Sequence, residues 1–311
     1  GDITIAPELP SGIMKRTLDL VSGHNAFLRL RYTNPRHDVP PTGEDFWREG
    51  GTDQWKEGYD LWARVVRQFA QSSSSHLRIC EIGLNAGHGA LASLTSAPNS
   101  TYIGFDLMTH WYSNHTMKRL KSLFGERMEH IVPGDSRVTV PAFSLAHPDI
   151  RCDVLIIDGG HFGDVPWLDM ANMAALANPS SHLVVVDDVT RAHVHPRPNT
   201  PLLSPLPRGS TDPLLFPPIQ AWDDMVALGL VHELGCFQNN GRSTGYCLGS
   251  YNVSALPSLR KLECLHEYFR KEPHCLDEDK PTEAEWQSYL LKVASVRQRP
   301  ARTAGNAALF E

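Results

Sequence analysis

The sequence predicts an α/β protein built on a doubly wound, mostly parallel sheet of seven strands. Three observations carry this. Short apolar runs alternate with helical patterns from Leu77 to Ala177. Two of the runs, Asp153–Ile157 and Leu183–Val186, are almost continuously apolar, as expected of strands covered by helices on both faces. The first run, Leu77–Ile82, leads directly into a glycine-rich turn, Glu81–Ala90 (EIGLNAGHGA), the place where such sheets bring backbone close to a ligand.

Each element follows from its local pattern. A short helix is expected near Ile13–Val21 and a longer one over Asp53–Ala70. In the longer one Trp55, Tyr59, Trp62, Val66 and Phe69 form one apolar stripe at helical spacing. Strands are expected at Leu77–Ile82, Thr101–Phe105, Glu129–Val132, Asp153–Ile157 and Leu183–Val186. The helices between them are Gly89–Thr95, Thr116–Phe124, Val138–Ala146 and Trp167–Ala177. The proline-rich insert 190–218 interrupts the alternation and forbids regular structure. Ile219–Leu228 reads as a helix. Val231–Phe237 and Gly245–Tyr251 flank an Asn-Gly hairpin signal, so that last pair should be antiparallel. Two helical patterns follow Asn252, the second opening with a Thr282-x-x-Glu285 capping box, and the tail from Gln298 looks frayed. The expected division is an N-terminal helical or lid extension (1–76), a core (77–251) carrying the insert, and a C-terminal helical extension (252–311).

Composition narrows the partners. A formal charge of -6 over 311 residues argues against a broad nucleic-acid footprint. No apolar run approaches the roughly 20 residues of a membrane helix. Of six cysteines, Cys80 and Cys152 lie in core strands, where a reduced, buried thiol is expected. Cys236, Cys247, Cys264 and Cys275 cluster late and can pair in an oxidising compartment. N-x-[ST] triplets at Asn99, Asn114 and Asn252 leave localisation open, with a reduced, cytoplasmic setting mildly favoured. Homo-oligomerisation is left open.

The chemistry lies in the acids. Glu81, Asp106, Asp135, Asp158 and the pair Asp187–Asp188 fall at successive strand ends, which share one rim of a parallel sheet. Any one of them also suits a helix N-cap or a turn. Together, converging like charges call for a cation or a polyhydroxyl ligand. A ribose uses one carboxylate as an acceptor, and a hard divalent cation uses two or three more.

On these residues the chain resembles the class I S-adenosylmethionine-dependent methyltransferases, which have a Rossmann-like fold. More narrowly it resembles the divalent-metal-dependent O-methyltransferases of the catechol and macrocin O-methyltransferase types. Residues 77–251 carry the likeness. The loop Glu81-Ile-Gly83-Leu-Asn85-Ala-Gly87-His-Gly89 matches E-x-G-x-x-x-G-x-S, except that Gly89 stands in place of Ser and brings no hydroxyl to the cofactor. The resemblance implies that Gly83 and Asn85 line the methionine portion of the cofactor, that Glu81 and Gly87 also belong to the cofactor site, and that Asp106 binds the ribose. It places Asp135 and Ser136 beside the adenine, and Asp158 at the cofactor too. Asp158-Gly-Gly-His161 looks like the D-G-x-H of the sugar-modifying branch, and Asp187–Asp188 occupies the place of the family's acidic pair. These imply a Mg²⁺ or other divalent cation on Asp158, Asp187 and Asp188.

A hydroxyl fixed on such a cation becomes more acidic. His161 is the candidate general base; structural and nucleotide-contact roles stay open for it. His88 is expected beside the cofactor, and Trp111 and Tyr112 form a wall or pack. His193 and His195 sit in the insert and either touch substrate or lie exposed. The expected activity is O-methylation of a small hydroxylated acceptor, a sugar or glycosylated compound ahead of a catechol. The alternatives are a metal-independent small-molecule methyltransferase, a nicotinamide-dependent oxidoreductase, or a non-catalytic cofactor-binding module. The loop lacks G-x-G-x-x-G, which disfavours the oxidoreductase.

Overall fold

The computed structural model describes residues 11–31, 56–73, 76–161, 165–189, 218–238, 245–254 and 302–303. The chain divides into two units, the first running to Asp158 and the second from Gly159 to Ala304.

In the first unit, α1 (Ser11–Arg31) and α2 (Lys56–Ser72) precede an alternating series. This runs β1 (Leu77–Ile82), α3 (His88–Ser96), β2 (Ser100–Asp106), α4 (Ser113–Phe124), β3 (Met128–Pro133), α5 (Ser136–Ala146) and β4 (Val154–Ile157). The strands lie in the order β3-β2-β1-β4, and all neighbours are parallel. β1 holds the centre because nearly every side chain on it is buried, as are all four of β4. Arg78 ties the lower edge: it pairs with Glu129 at 2.9 Å, and its backbone N–H donates to Asp153.

α1 runs well past the expected Ile13–Val21. Its inward face is Thr17, Val21, His24, Asn25 and Leu28, all buried, so the stripe is helical in spacing but half polar in composition. An apolar pattern search loses such a helix after Val21. α3 is buried almost all round, from His88 through Ser96. It lies against α1 and α2 on one side and β2 on the other. The inner stripe of α2 keeps Val66 and Phe69; the side chains of Trp55, Tyr59 and Trp62 lie outside the described residues.

The second unit holds α6 (Val165–Ala174), β5 (Leu183–Val186), α7 (Pro218–Ala227), β6 (Val231–Gln238), β7 (Gly245–Tyr251) and the short β8 (Arg302–Thr303). The order is β5-β7-β6-β8, with β7 antiparallel to both neighbours, as the hairpin signal predicts. β8 falls in the tail expected to fray and pairs parallel to β6. Tyr251 anchors the end of β7 through its hydroxyl on the Met170 carbonyl. Trp222 of α7, fully buried, donates to Glu233 of β6. The insert 190–217, with His193 and His195, the two helical patterns after Asn252, and Cys264 and Cys275 lie outside the described residues.

The cysteines correct an expectation. Cys80 and Cys152 are buried but not free: they form a disulfide, Cα to Cα 5.9 Å. They sit 72 residues apart on β1 and just before its neighbour β4, an adjacency that spacing alone does not disclose. Cys236 and Cys247, opposite one another in the β6–β7 register, form the second bridge. Closing a loop of 72 residues removes denatured-state entropy of about 4 kcal/mol in the chain-entropy account, and one of 11 residues about 3 kcal/mol. Alkylation of the denatured, unreduced protein is therefore expected to leave these four cysteines unlabelled, and reductant to lower Tm by several degrees. Full labelling without reductant would overturn both bridges.

Candidate functional site

The site in the first unit is built where β1 and β2 end. Gly83 N–H donates to Phe105 O at 2.8 Å, which turns the chain away from β1. The backbone then passes through left-handed values at Gly83, Asn85 and Gly87. Gly87, at φ 79, faces α4 so closely that a Cβ there would sit 2.7 Å from Thr116 Cγ2. Both its conformation and its space require glycine.

Asp106, at the end of β2, holds this loop as well as facing it. Its Oδ2 accepts from Asn85 N–H at 2.7 Å and its Oδ1 from Met108 N–H at 2.6 Å. Each carboxylate oxygen retains acceptor capacity for a diol. The Tyr112 hydroxyl donates to Asn85 Oδ1, and Tyr112 packs with Leu28 and Ala86, while Trp111 beside it is exposed. Gly134 N–H donates to Asp106 O, which brings the end of β3 to the end of β2.

Two acids are placed differently from the expectation of an open rim. Glu81 does not end its strand: β1 continues to Ile82, and the Glu81 side chain is buried, accepting from Tyr102 OH on β2. Burial pushes its pKa well up against the Tyr102 hydrogen bond, with nearby Asp158 and Asp106 adding to the rise. The Glu81 carboxyl occupies the space in front of Gly89, where any Cβ would overlap Oε1. A side chain at position 89 would therefore require the Glu81 carboxyl to move. Asp135 is the N-cap of α5, accepting from Arg137 N–H at 3.0 Å and pairing with the Arg137 guanidinium at 2.6 Å. The Arg137 hydrogen bond holds its pKa below the usual carboxylate range. Ser136 opens the same helix, half-buried.

His88 is buried and turned toward α1, with Nε2 2.7 Å from Asn25 Oδ1. Burial, and then the neighbouring His24, depress its pKa to about 3. His24 is lowered mainly by burial. Both rings are therefore neutral at physiological pH. No spacing rule flags His24, Asn25 or Tyr102, because each acts through a neighbour distant in sequence.

Asp158 closes the first unit, half-buried, its backbone N–H donating to Ile82 O at 3.0 Å. In the second unit the loop after β5 carries Asp187 and Asp188, both half-buried. Asp187 Oδ1 accepts from Asp188 N–H at 2.7 Å, and Asp188 adopts a left-handed φ of 54. His161 Nε2 lies 3.3 Å from Asp188 Oδ2. This brings the candidate base and one candidate ligand together, with ligand atoms close enough to share an ion. Asp187, engaged with the Asp188 backbone, is not in that group.

No family model matches the sequence, and no curated protein matches it. Among solved structures, the chain is similar to the O-methyltransferase TomG from Streptomyces achromogenes in complex with SAM, at 16% identity, TM-score 0.48, covering 79% of this chain and 92% of that one. It is also similar to the Bacillus cereus O-methyltransferase in complex with SAH, at 12% identity, TM-score 0.45, covering 79% and 94%. A putative O-methyltransferase from Klebsiella pneumoniae gives 15% identity, TM-score 0.44, covering 78% and 91%. The strand order is 3-2-1-4, all parallel, in one unit and 5-7-6, with an antiparallel β7, in the other, the α/β, mostly parallel pattern that the sequence predicts.

Proposed function

We propose that the protein is an S-adenosylmethionine-dependent O-methyltransferase acting on a hydroxyl of a small molecule, with assistance from a divalent cation. The observation that carries this is the Asp106-anchored glycine loop: a strand-end carboxylate that fixes the loop backbone and still has lone pairs for a ribose diol. When bound, S-adenosylmethionine supplies a methyl group on a sulfonium sulfur, ready for in-line displacement by an oxygen. The chain's own task is then orientation and removal of one proton. His161, whose Nε2 lies 3.3 Å from Asp188 Oδ2, would take the hydroxyl proton.

In the second unit the donor to the cation would be Asp188, beside His161. Carboxylate oxygens suit Mg²⁺, and the ion would lower the pKa of a coordinated hydroxyl. The D-G-x-H pattern at Asp158–His161 favours a sugar or glycosylated acceptor.

The 3.3 Å contact supports a second reading, in which His161 is a ligand and not the base. A nitrogen donor then shifts preference toward Mn²⁺ or Fe²⁺. Metal titration of His161→Ala separates the two. As base, its loss leaves metal affinity intact and slows transfer by about 10²–10⁴-fold; as ligand, its loss weakens the metal itself. Absence of S-adenosylmethionine binding by calorimetry would overturn the activity altogether.

A further inference from the structure

We infer that α1 is part of the cofactor site, with His24 and Asn25 as positioning residues that clamp the glycine loop from behind. The inference rests on the methyltransferase reading above only for the identity of the ligand.

The geometry is all within the first unit. His24 Nε2 lies 2.6 Å from Ala86 O, between Asn85 and Gly87, the two left-handed residues at the tip of the loop. A carbonyl only accepts, so Nε2 carries the hydrogen and donates. One residue on, Asn25 Oδ1 receives His88 Nε2 at 2.7 Å, and the two imidazoles pack edge to face at 5.7 Å. A turn later Leu28 packs on Ala86 and Tyr112, with Phe27 against the same cluster. Arg119 of α4 covers the Phe27 ring at 5.3 Å.

Loop residues 85, 86 and 88 are thus each gripped by a side chain from Tyr112 or from α1. Asn25 and His24 are buried, at 3% and 0% exposure, so these are desolvated hydrogen bonds, which are costly to break. A glycine-rich turn has the most backbone freedom to lose when a ligand docks on it. Holding Ala86 and His88 in place before docking removes that loss from the binding step. This also explains the polar pair on the inward face of α1: His24 reaches the loop backbone at Ala86 and Asn25 the His88 ring, bonds that apolar side chains could not make.

The test compares His24→Phe, which fills the volume without a donor, with His24→Gln, which keeps one. Expected for His24→Phe is a rise of about tenfold in the S-adenosylmethionine Kd and KM, kcat at saturating cofactor nearly unchanged, and faster amide hydrogen exchange at residues 84–88. His24→Gln is expected to restore most of the affinity. Asn25→Ala serves as the second variant should His24→Phe fail to fold, with the same direction and a smaller size. Wild-type affinity and wild-type exchange in a folded His24→Phe or Asn25→Ala protein would overturn the clamp. Wild-type protein that binds no S-adenosylmethionine would overturn the methyltransferase reading instead. Exchange at 84–88 then still decides the clamp, faster in the variants supporting it and unchanged sinking it.

Discussion

Asp106→Asn is expected to weaken S-adenosylmethionine binding about 10- to 100-fold, since a charge-assisted hydrogen bond is worth about 1.5–3 kcal/mol. The substitution keeps the side chain's shape and one carbonyl oxygen, so one of the two backbone N–H groups, Asn85 or Met108, loses its acceptor. The negative charge that would receive the ribose hydroxyls is removed at the same time. Asp106→Ala should be worse, because both loop anchors go with the charge. Calorimetric titration measures the effect directly. An unchanged Kd in Asp106→Ala would remove this residue from the cofactor site, and with it the observation on which the proposed function stands.

Asp188→Asn should leave cofactor affinity within about threefold while lowering turnover by about 10²–10⁴-fold, the range expected when cation assistance and base orientation are lost together. Asparagine is the informative replacement because Asp188 has φ 54, a conformation that Asn tolerates about as well as Asp. Alanine there would mix backbone strain with the loss of charge. Wild-type turnover should also collapse in EDTA and recover with Mg²⁺, whereas the little that Asp188→Asn retains should not respond to either. Full wild-type activity in EDTA would show that no dissociable cation takes part.

Much of the architecture is legible in the residues because it rests on signals of short range. The apolar runs of β4 and β5, the Asn-Gly between β6 and β7, and the glycines at 83 and 87 each state their conformation locally. The site is legible to the extent that function coincides with a strand end, as at Asp106, Asp158 and Asp188. What escapes is decided between segments far apart in the chain. Glu81 reads as a strand-terminal acid, yet Tyr102 on the next strand draws it into the interior. Asp135 reads as a strand-end acid, and the structure adds that it caps α5 and pairs with Arg137. Cys80 finds Cys152 only once β1 and β4 lie side by side. The second half of α1 is lost to a hydrophobic pattern because His24 and Asn25 face inward for hydrogen bonding.

Position 89 has a consequence for how this sequence can change. A serine introduced there would meet the Glu81 carboxyl before anything else. It would have to evict the acid that Tyr102 holds against that spot. Position 89 is therefore coupled to residues 81 and 102: any Cβ there displaces the Glu81 carboxyl and, with it, the hydrogen bond from the Tyr102 hydroxyl.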